Sequence, residues 1–266
     1  MTSARTTIGE RARLLDAACD IARAAGGVIM PYFRDPALAT RRKADASPVT
    51  VADEEAEAVI LEGLARLTPG VPVVAEEEVA AGRVPDISGG RFWLVDPLDG
   101  TKEFLARRPE FTVNLALVED RRPVLGVVYV PAADDLYAGG IGVGAYMEPA
   151  GAERRPIAAR RVDPEGVTVA VSRTYGSGVQ LSTFLSHYVV TDQITAGSSI
   201  KFCLIARGVA DIYPRYGGSS EWDTAAGHAV LAAAGGTVTD TADRTELTYA
   251  KPRFSNPDFI AWGRRA

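Results

Sequence analysis

The sequence predicts an α+β first half joined to an α/β second half, on three observations. Leu14, Leu15, Ala18, Ile21, Ala22, Ala25, Ile29 and Phe33 recur at helical spacing, which makes an amphipathic helix of roughly residues 8–33. From Thr112 to Tyr146, short apolar runs alternate with turn residues and leave no room for crossover helices, as in an antiparallel meander. Beyond residue 156, helix-like and strand-like segments take turns, the signature of an α/β layer. The Gly/Glu/Arg-rich connection around 149–156 marks the boundary, giving units 1–155 and 156–266.

Each element has its own reason. Gly26-Gly27 weakens the second half of the first helix. A polar stretch from Lys43 leads into Asp53-Glu54-Glu55, acids that suit the positive end of a helix running to about Leu67, with Thr50 or Asp53 near its start. Val71 to Ala75 reads as a short buried strand that delivers Glu76-Glu77-Glu78, and Phe92 to Val95 as another that delivers Asp96. The meander strands fall at 113–118, 124–130, 136–138 and 145–147. The second half reads as strand 167–172, helix 180–187, strand 189–194, helix 199–208, strand 210–213, helix 223–234 and strands 236–239 and 258–262.

Composition narrows the function classes. With 266 residues, 47% of them hydrophobic, the chain can bury a sizeable core without staples. A formal net charge of -5 and the lack of a Lys/Arg block argue against a nucleic-acid polymer as partner. Cys19 and Cys203 lie in separate helical patterns and read as buried free thiols, which fits a reducing compartment. No stretch reaches the ~20 apolar residues of a membrane span, so integral membrane contact is excluded. The expected location is the cytoplasm, with loose attachment to the inner membrane left open, as is the choice between monomer and homodimer.

The chemistry concentrates in Arg91 to Phe104, where an apolar strand runs into Asp96 and Asp99, followed at once by Gly100 and Thr101. Carboxylates at the end of a buried strand are expensive unless a cation meets them, and Pro97 stiffens the backbone between this pair. A hard divalent ion with oxygen ligands suits them better than zinc. The second segment is Glu221 to Val230, where Asp223 opens a helix rich in small residues that can pack closely on a sheet. Taken alone, Asp223 also reads as a helix cap. Glu77 and Glu78 read as solvated or supporting residues, Trp93 and Trp222 as packing, and His187 and His228 as structural or surface histidines.

Taken together, Glu76, Asp96-Pro-Leu-Asp99-Gly-Thr and Trp222-Asp223-Thr-Ala-Ala-Gly resemble the signature of the inositol monophosphatase superfamily of magnesium-dependent, lithium-sensitive phosphatases. The match spans nearly the whole chain. The segments 43–50, 99–104, 110–114, 197–203 and 213–217 are similar to those of its 3'(2'),5'-bisphosphate nucleotidase branch, the CysQ type. That branch hydrolyses adenosine 3',5'-bisphosphate to AMP and phosphate, a step of sulfur assimilation and nucleotide metabolism.

The resemblance implies a layered αβαβα sandwich, as in inositol monophosphatase and fructose bisphosphatase. It implies one magnesium held by Glu76, Asp96 and the Leu98 carbonyl, and a second held by Asp96, Asp99 and Asp223. Some members show a third near Glu76 and Asp53. It gives Asp53 and Thr101, with Glu76, the task of orienting and deprotonating the attacking water. The main-chain N–H groups of Gly100 and Thr101 would hold phosphate oxygens.

Substrate choice falls to other residues. Where inositol phosphatases carry an acid shortly before Trp-Asp, this chain has Arg215, which suits a second phosphate. Gly197, Ser198, Ser199 and Lys201 would line the nucleoside side, with Asp223 also near the substrate. Ser172-Arg173-Thr174-Tyr175 departs from the Ser-Arg-Ser-His expected of close relatives, which puts base preference in question. The 2',5' isomer and the 3'-phosphorylated adenylyl sulfate are further candidate substrates. The rival readings are an inositol phosphate or other small sugar or polyol phosphatase, and a non-catalytic metal-binding module.

Overall fold

The computed structural model describes residues 5–35, 40–42, 48–163, 165–173 and 177–265, and gives the backbone path alone for 40–42 and 48–50. Helix α1 (Ile8–Arg34) opens on a reciprocal cap, in which Thr7 Oγ1 accepts from Glu10 N at 3.2 Å and the Glu10 carboxylate accepts from Thr7 N at 3.0 Å. An antiparallel pair, β1 (Thr40–Arg42) and β2 (Pro48–Thr50), precedes α2 (Val51–Leu67). Then come β3 (Val73–Ala75), α3 (Glu76–Ala80), β4 (Arg91–Asp99) and α4 (Thr101–Leu105). The meander follows as β5 (Thr112–Glu119), β6 (Arg122–Val130), β7 (Asp135–Gly140), β8 (Gly144–Glu148) and β9 (Arg155–Ile157).

The second half alternates, with β10 (Val167–Ser172), α5 (Val179–Leu185), β11 (Val190–Ala196), α6 (Ile200–Ala206) and β12 (Ile212–Arg215). It continues through β13 (Ser219–Ser220), α7 (Trp222–Ala233), β14 (Thr237–Asp240), β15 (Ser255–Asn256) and β16 (Phe259–Trp262).

β3 to β9 form one seven-stranded sheet in chain order, antiparallel except where β3 runs parallel to β4. Side chains alternate faces along each strand, and here both faces are buried. Trp93, Val95, Leu115 and Val127 meet α1 and α2 on one side; Phe92, Leu94, Ala116 and Val128 meet α6 and α7 on the other. The second sheet, in order β11-β10-β12-β16-β14, closes over α6 and α7 through Ala170, Tyr213, Val238 and Phe259. Its outer face, Val169, Ile212 and Ile260, takes Phe184 and Leu185 of α5. The layers therefore run helix, sheet, helix, sheet, helix, the αβαβα sandwich.

Glycines set how closely the middle layer sits. A Cβ on Gly126 would lie 2.5 Å from the Ala226 carbonyl, and one on Gly139 2.9 Å from Ala233 Cβ, so α7 beds onto β6 and β7 backbone to small residue. Gly26, expected to weaken α1, instead makes room for the Tyr129 ring, which a Cβ would meet at 2.4 Å.

The structure corrects two expectations. Glu76 to Glu78 do not merely end a strand but form the first turn of α3, and the polar stretch before α2 contains β2, which pairs with β1 just ahead of it. In keeping with the α/β reading of the second half, its sheet is mixed: β10 pairs in parallel with β11 and β12, while β16 runs antiparallel between β12 and β14. β9, the last strand of the first sheet, spans residues 155–157, where the sequence set the change from one unit to the next. No helix among the described residues is long and apolar enough to cross a membrane.

Candidate active site

β4 carries the centre of the site. Side chains three apart on a regular strand point to opposite faces, but the β4/β5 register slips between Asp96 and Asp99: Asp96 faces Asn114 and Asp99 faces Thr112. The extra residue in that bulge turns both carboxylates toward one place. Gly100 follows with φ 93°, where a Cβ would meet the Glu110 carbonyl at 3.2 Å and Ser198 Cβ at 3.2 Å. Only glycine fits there, and it lets α4 begin at Thr101, whose Oγ1 donates to the Leu98 carbonyl at 3.2 Å.

Three other elements bring acids to this point. β3, paired in parallel with β4, leads into Glu76 at the start of α3. The first turn of α2 presents Asp53, buried at 3% exposure. The first turn of α7 presents Asp223. Burial, with Glu76, Asp99, Asp223 and Asp53 adding repulsion, pushes the Asp96 carboxyl well above the usual carboxylate range. Asp223 is pushed up too, by burial first and Asp99 next. Among the described residues no lysine or arginine forms an ion pair with Asp96. Four elements thus converge on like charges in a desolvated place.

The carboxylates lean on neutral donors. Asp99 Oδ2 accepts from Ser199 Oγ at 2.9 Å, Asn114 Nδ2 at 3.3 Å and Thr112 Oγ1 at 3.4 Å. Asp223 Oδ2 accepts from Ser220 N at 3.0 Å, and Asp96 Oδ1 from Leu98 N at 3.1 Å. Turned this way, no three His, Cys, Asp or Glu side chains among the described residues close on one point as metal ligands. The donor set itself, carboxylate and carbonyl oxygen without histidine or thiol, fits a hard cation such as magnesium.

A cleft of about 480 Å³ opens over these residues, and its lining includes the acids Glu76, Asp99 and Asp223 and the turn residues Gly100 and Thr101. Gly197, Ser198, Lys201 and Arg215 line it as well, while Asp53, Asp96, Leu98 and Ser199 lie buried outside the lining. Lys201 Nζ donates to the Ala196 carbonyl at 3.2 Å and the Ser198 carbonyl at 2.5 Å, and burial lowers this ammonium to about 8. Arg215, at the end of β12, donates to the Gly218 carbonyl at 2.8 Å and stands close enough to Asp223 to act on its charge.

Sequence reasoning missed Glu57. One turn after Asp53 on α2, it is 3% exposed and accepts from Glu77 N at 2.9 Å and Glu78 N at 3.0 Å, capping α3 and so fixing Glu76. Burial raises its carboxyl to about 7. The Asp53/Glu57 spacing of four on a helix was the available signal. His228 is buried and bonded to Tyr249, Trp93 is buried with Nε1 on Thr68, Trp222 packs on Phe254, and Cys19 and Cys203 are buried free thiols, as expected. Arg173 pairs with Glu103 and Glu110. Lys43, Thr174 and Tyr175 lie outside the described residues.

Residues 10–261 match the inositol monophosphatase family. The chain is 45% identical over 247 residues, 92% of its length and 98% of the relative's, to the 3'(2'),5'-bisphosphate nucleotidase CysQ of Salmonella typhimurium. It is 44% identical, with the same coverage, to that of Escherichia coli K12. In structure it is similar to CysQ from Bacteroides thetaiotaomicron, with TM-score 0.79, 37% identity, and 96% of this chain and 98% of that one covered. An inositol monophosphatase from Zymomonas mobilis superposes with TM-score 0.78 at 26% identity, covering 98% of this chain and 95% of that one. Layer order, converging acids and near full-length similarity agree that the chain belongs to the inositol monophosphatase family.

Proposed function

We propose that this protein is a magnesium-dependent 3'(2'),5'-bisphosphate nucleotidase that converts adenosine 3',5'-bisphosphate to AMP and phosphate. The observation that carries this reading is a single cleft in which clustered carboxylates, Glu76, Asp99 and Asp223, stand beside the cations Lys201 and Arg215. A monophosphorylated polyol has no use for that second, cationic part, whereas a second phosphate does. Relatives named for this activity, at 43–45% identity over 92% of the chain, support it.

In this reading Glu76, Asp96 and the Leu98 carbonyl would hold one magnesium, and Asp96, Asp99 and Asp223 a second. Such an ion would supply Lewis acidity for the attacking water and neutralise charge on the departing ribose oxygen. Asp53 and Thr101, aided by Glu76, orient the attacking water and accept its proton. The Gly100 and Thr101 amides take phosphate oxygens, at an approach that a side chain on residue 100 would block. Lys201 and Arg215 neutralise the phosphate that is not cleaved, with Gly197 and Ser198 along the nucleoside.

The test is phosphate release from adenosine 3',5'-bisphosphate, its 2',5' isomer, inositol phosphate and fructose bisphosphate. The nucleotides should turn over fastest, only with magnesium, and with inhibition by calcium and lithium. Preference for inositol phosphate, or turnover in EDTA, overturns the reading. Arg215→Glu should lower activity on the bisphosphate by about 10-fold or more relative to inositol phosphate, the worth of one charge-assisted hydrogen bond. An equal loss on both removes Arg215 from substrate selection.

A further inference from the structure

Ser199 sits at the junction of three elements. It precedes α6, is 1% exposed, and places Oγ 2.9 Å from Asp99 Oδ2 at the end of β4 and 2.8 Å from the main-chain carbonyl of Asp223 in the first turn of α7. Its one proton serves both acceptors, and Asn114 Nδ2 donates to its lone pair at 2.9 Å. Asn114 is equally buried, and the same Nδ2 lies 3.3 Å from Asp99 Oδ2, so turning the amide over would set its oxygen against a carboxylate. Asn114 Oδ1 is buried with no hydrogen-bond partner among the described residues, so Asp99 and Ser199 fix how the amide stands.

The consequence falls on Asp99. Its Oδ2 collects Ser199, Asn114 and Thr112, while Oδ1 accepts no hydrogen bond among the described residues. One oxygen is held, and the other is left for the cleft that Asp99 lines. Thr112 Oγ1 also meets Ser198 Oγ at 2.8 Å, which ties the 197–199 turn to β5.

We propose that Ser199, seated by Asn114, is a positioning residue that spans Asp99 and Asp223 and keeps these two carboxylates at the spacing a divalent ion requires. The inference rests on the proposed function, which gives Asp99 and Asp223 one magnesium in common. It takes Ser199 away from the nucleoside, where sequence reasoning set it. Residues that orient a metal's ligands from behind typically govern affinity by about 10- to 100-fold.

Manganese binding to the full chain without substrate, followed by electron paramagnetic resonance or titration calorimetry, tests this apart from turnover. Ser199→Ala should weaken manganese binding about 10-fold or more, while melting in EDTA stays within a few degrees of wild type. Asn114→Ala should weaken it too, and the double variant should lose far less than the product of the two, because both act through one carboxylate. With saturating magnesium, Ser199→Ala should lower kcat and leave the KM for adenosine 3',5'-bisphosphate unchanged. Wild-type manganese affinity in Ser199→Ala, or a change in KM alone, overturns the inference and leaves the nucleotidase reading standing. A wild-type chain that binds no manganese and shows no magnesium-dependent phosphatase activity removes both.

Discussion

Helix α7 touches two polar clusters less than two turns apart, and they are built on opposite rules. At its first turn Asp223 joins Asp96, Asp99 and Glu76, charges of one sign that burial makes costly. Farther along, His228 Nδ1 lies 3.0 Å from Tyr249 Oη, Tyr249 Oη donates to Thr224 Oγ1 at 3.4 Å, and Asn256 Nδ2 donates to that hydroxyl at 3.0 Å. The second cluster joins neutral groups to one another by hydrogen bonds; the first gathers carboxylates that repel one another. Burial of polar groups is therefore common to both clusters, and what sets the first apart is like charge massed at one point, with Arg215 acting on Asp223 from one side.

The sharpest way to break the comparison is Asp96→Asn. It keeps the shape and removes the charge that the other acids repel, so two effects of opposite sign are expected. Magnesium-supported phosphate release should fall to background, while melting in EDTA should rise, by roughly 1 kcal/mol or more of stability. Near-normal turnover would show that the acidic cluster is not the catalytic centre. A lowered melting temperature would show that Asp96 is already compensated by the protein.

Magnesium should do to the wild type what the amide does to the variant. A cation bound only by the folded chain contributes about 2.7 kcal/mol at one hundred times its dissociation constant, or roughly 5–10 °C in melting temperature for a chain of this size. Asp96→Asn should lose most of that shift, whereas His228→Gln, in the neutral cluster, should keep it. Equal shifts in both variants would place the ion elsewhere.

How much of this was legible in the sequence follows the range of the interactions. The helix over 8–33 and the meander were readable because period and burial are local to one element, and α1 and β5 to β8 fall where the pattern set them. Asp96, Asp99 and Asp223 could be picked out because each ends or begins such an element beside a glycine or a run of small residues. The roles of Glu57 and of the linking hydroxyl of Ser199 exist only across contacts of 20 and 100 residues in sequence, so the sequence offered nothing for Ser199 and only the spacing of four from Asp53 for Glu57. The β4 bulge, which alone lets residues three apart share a face, is likewise a property of pairing with β5 and not of β4 itself. The pair β13 and β15, two residues each, carries no periodic signal at all.

The smallest effect concerns pH and separates the clusters by sign. Burial lowers the His228 pKa below its ordinary value of 6.5, with Lys251 and Arg122 opposing the proton and Glu246, 3.7 Å from Nε2, favouring it. The unfolded chain thus takes up a proton below pH 6.5 that the folded chain refuses. This contribution to stability is present above pH 6.5 and is lost as pH falls through that value, with a limiting slope of about 1.4 kcal/mol per pH unit. Asp96 and Asp223, raised in the folded chain, act the other way, their stability growing as pH falls. Metal-free denaturant titrations from pH 5 to 8 should therefore show wild type losing stability relative to His228→Gln below about pH 6.5, and gaining on Asp96→Asn over the same span. A wild-type curve that runs parallel to His228→Gln would mean that His228 is protonated as readily inside the fold as outside it, and the neutral character of the second cluster would fall.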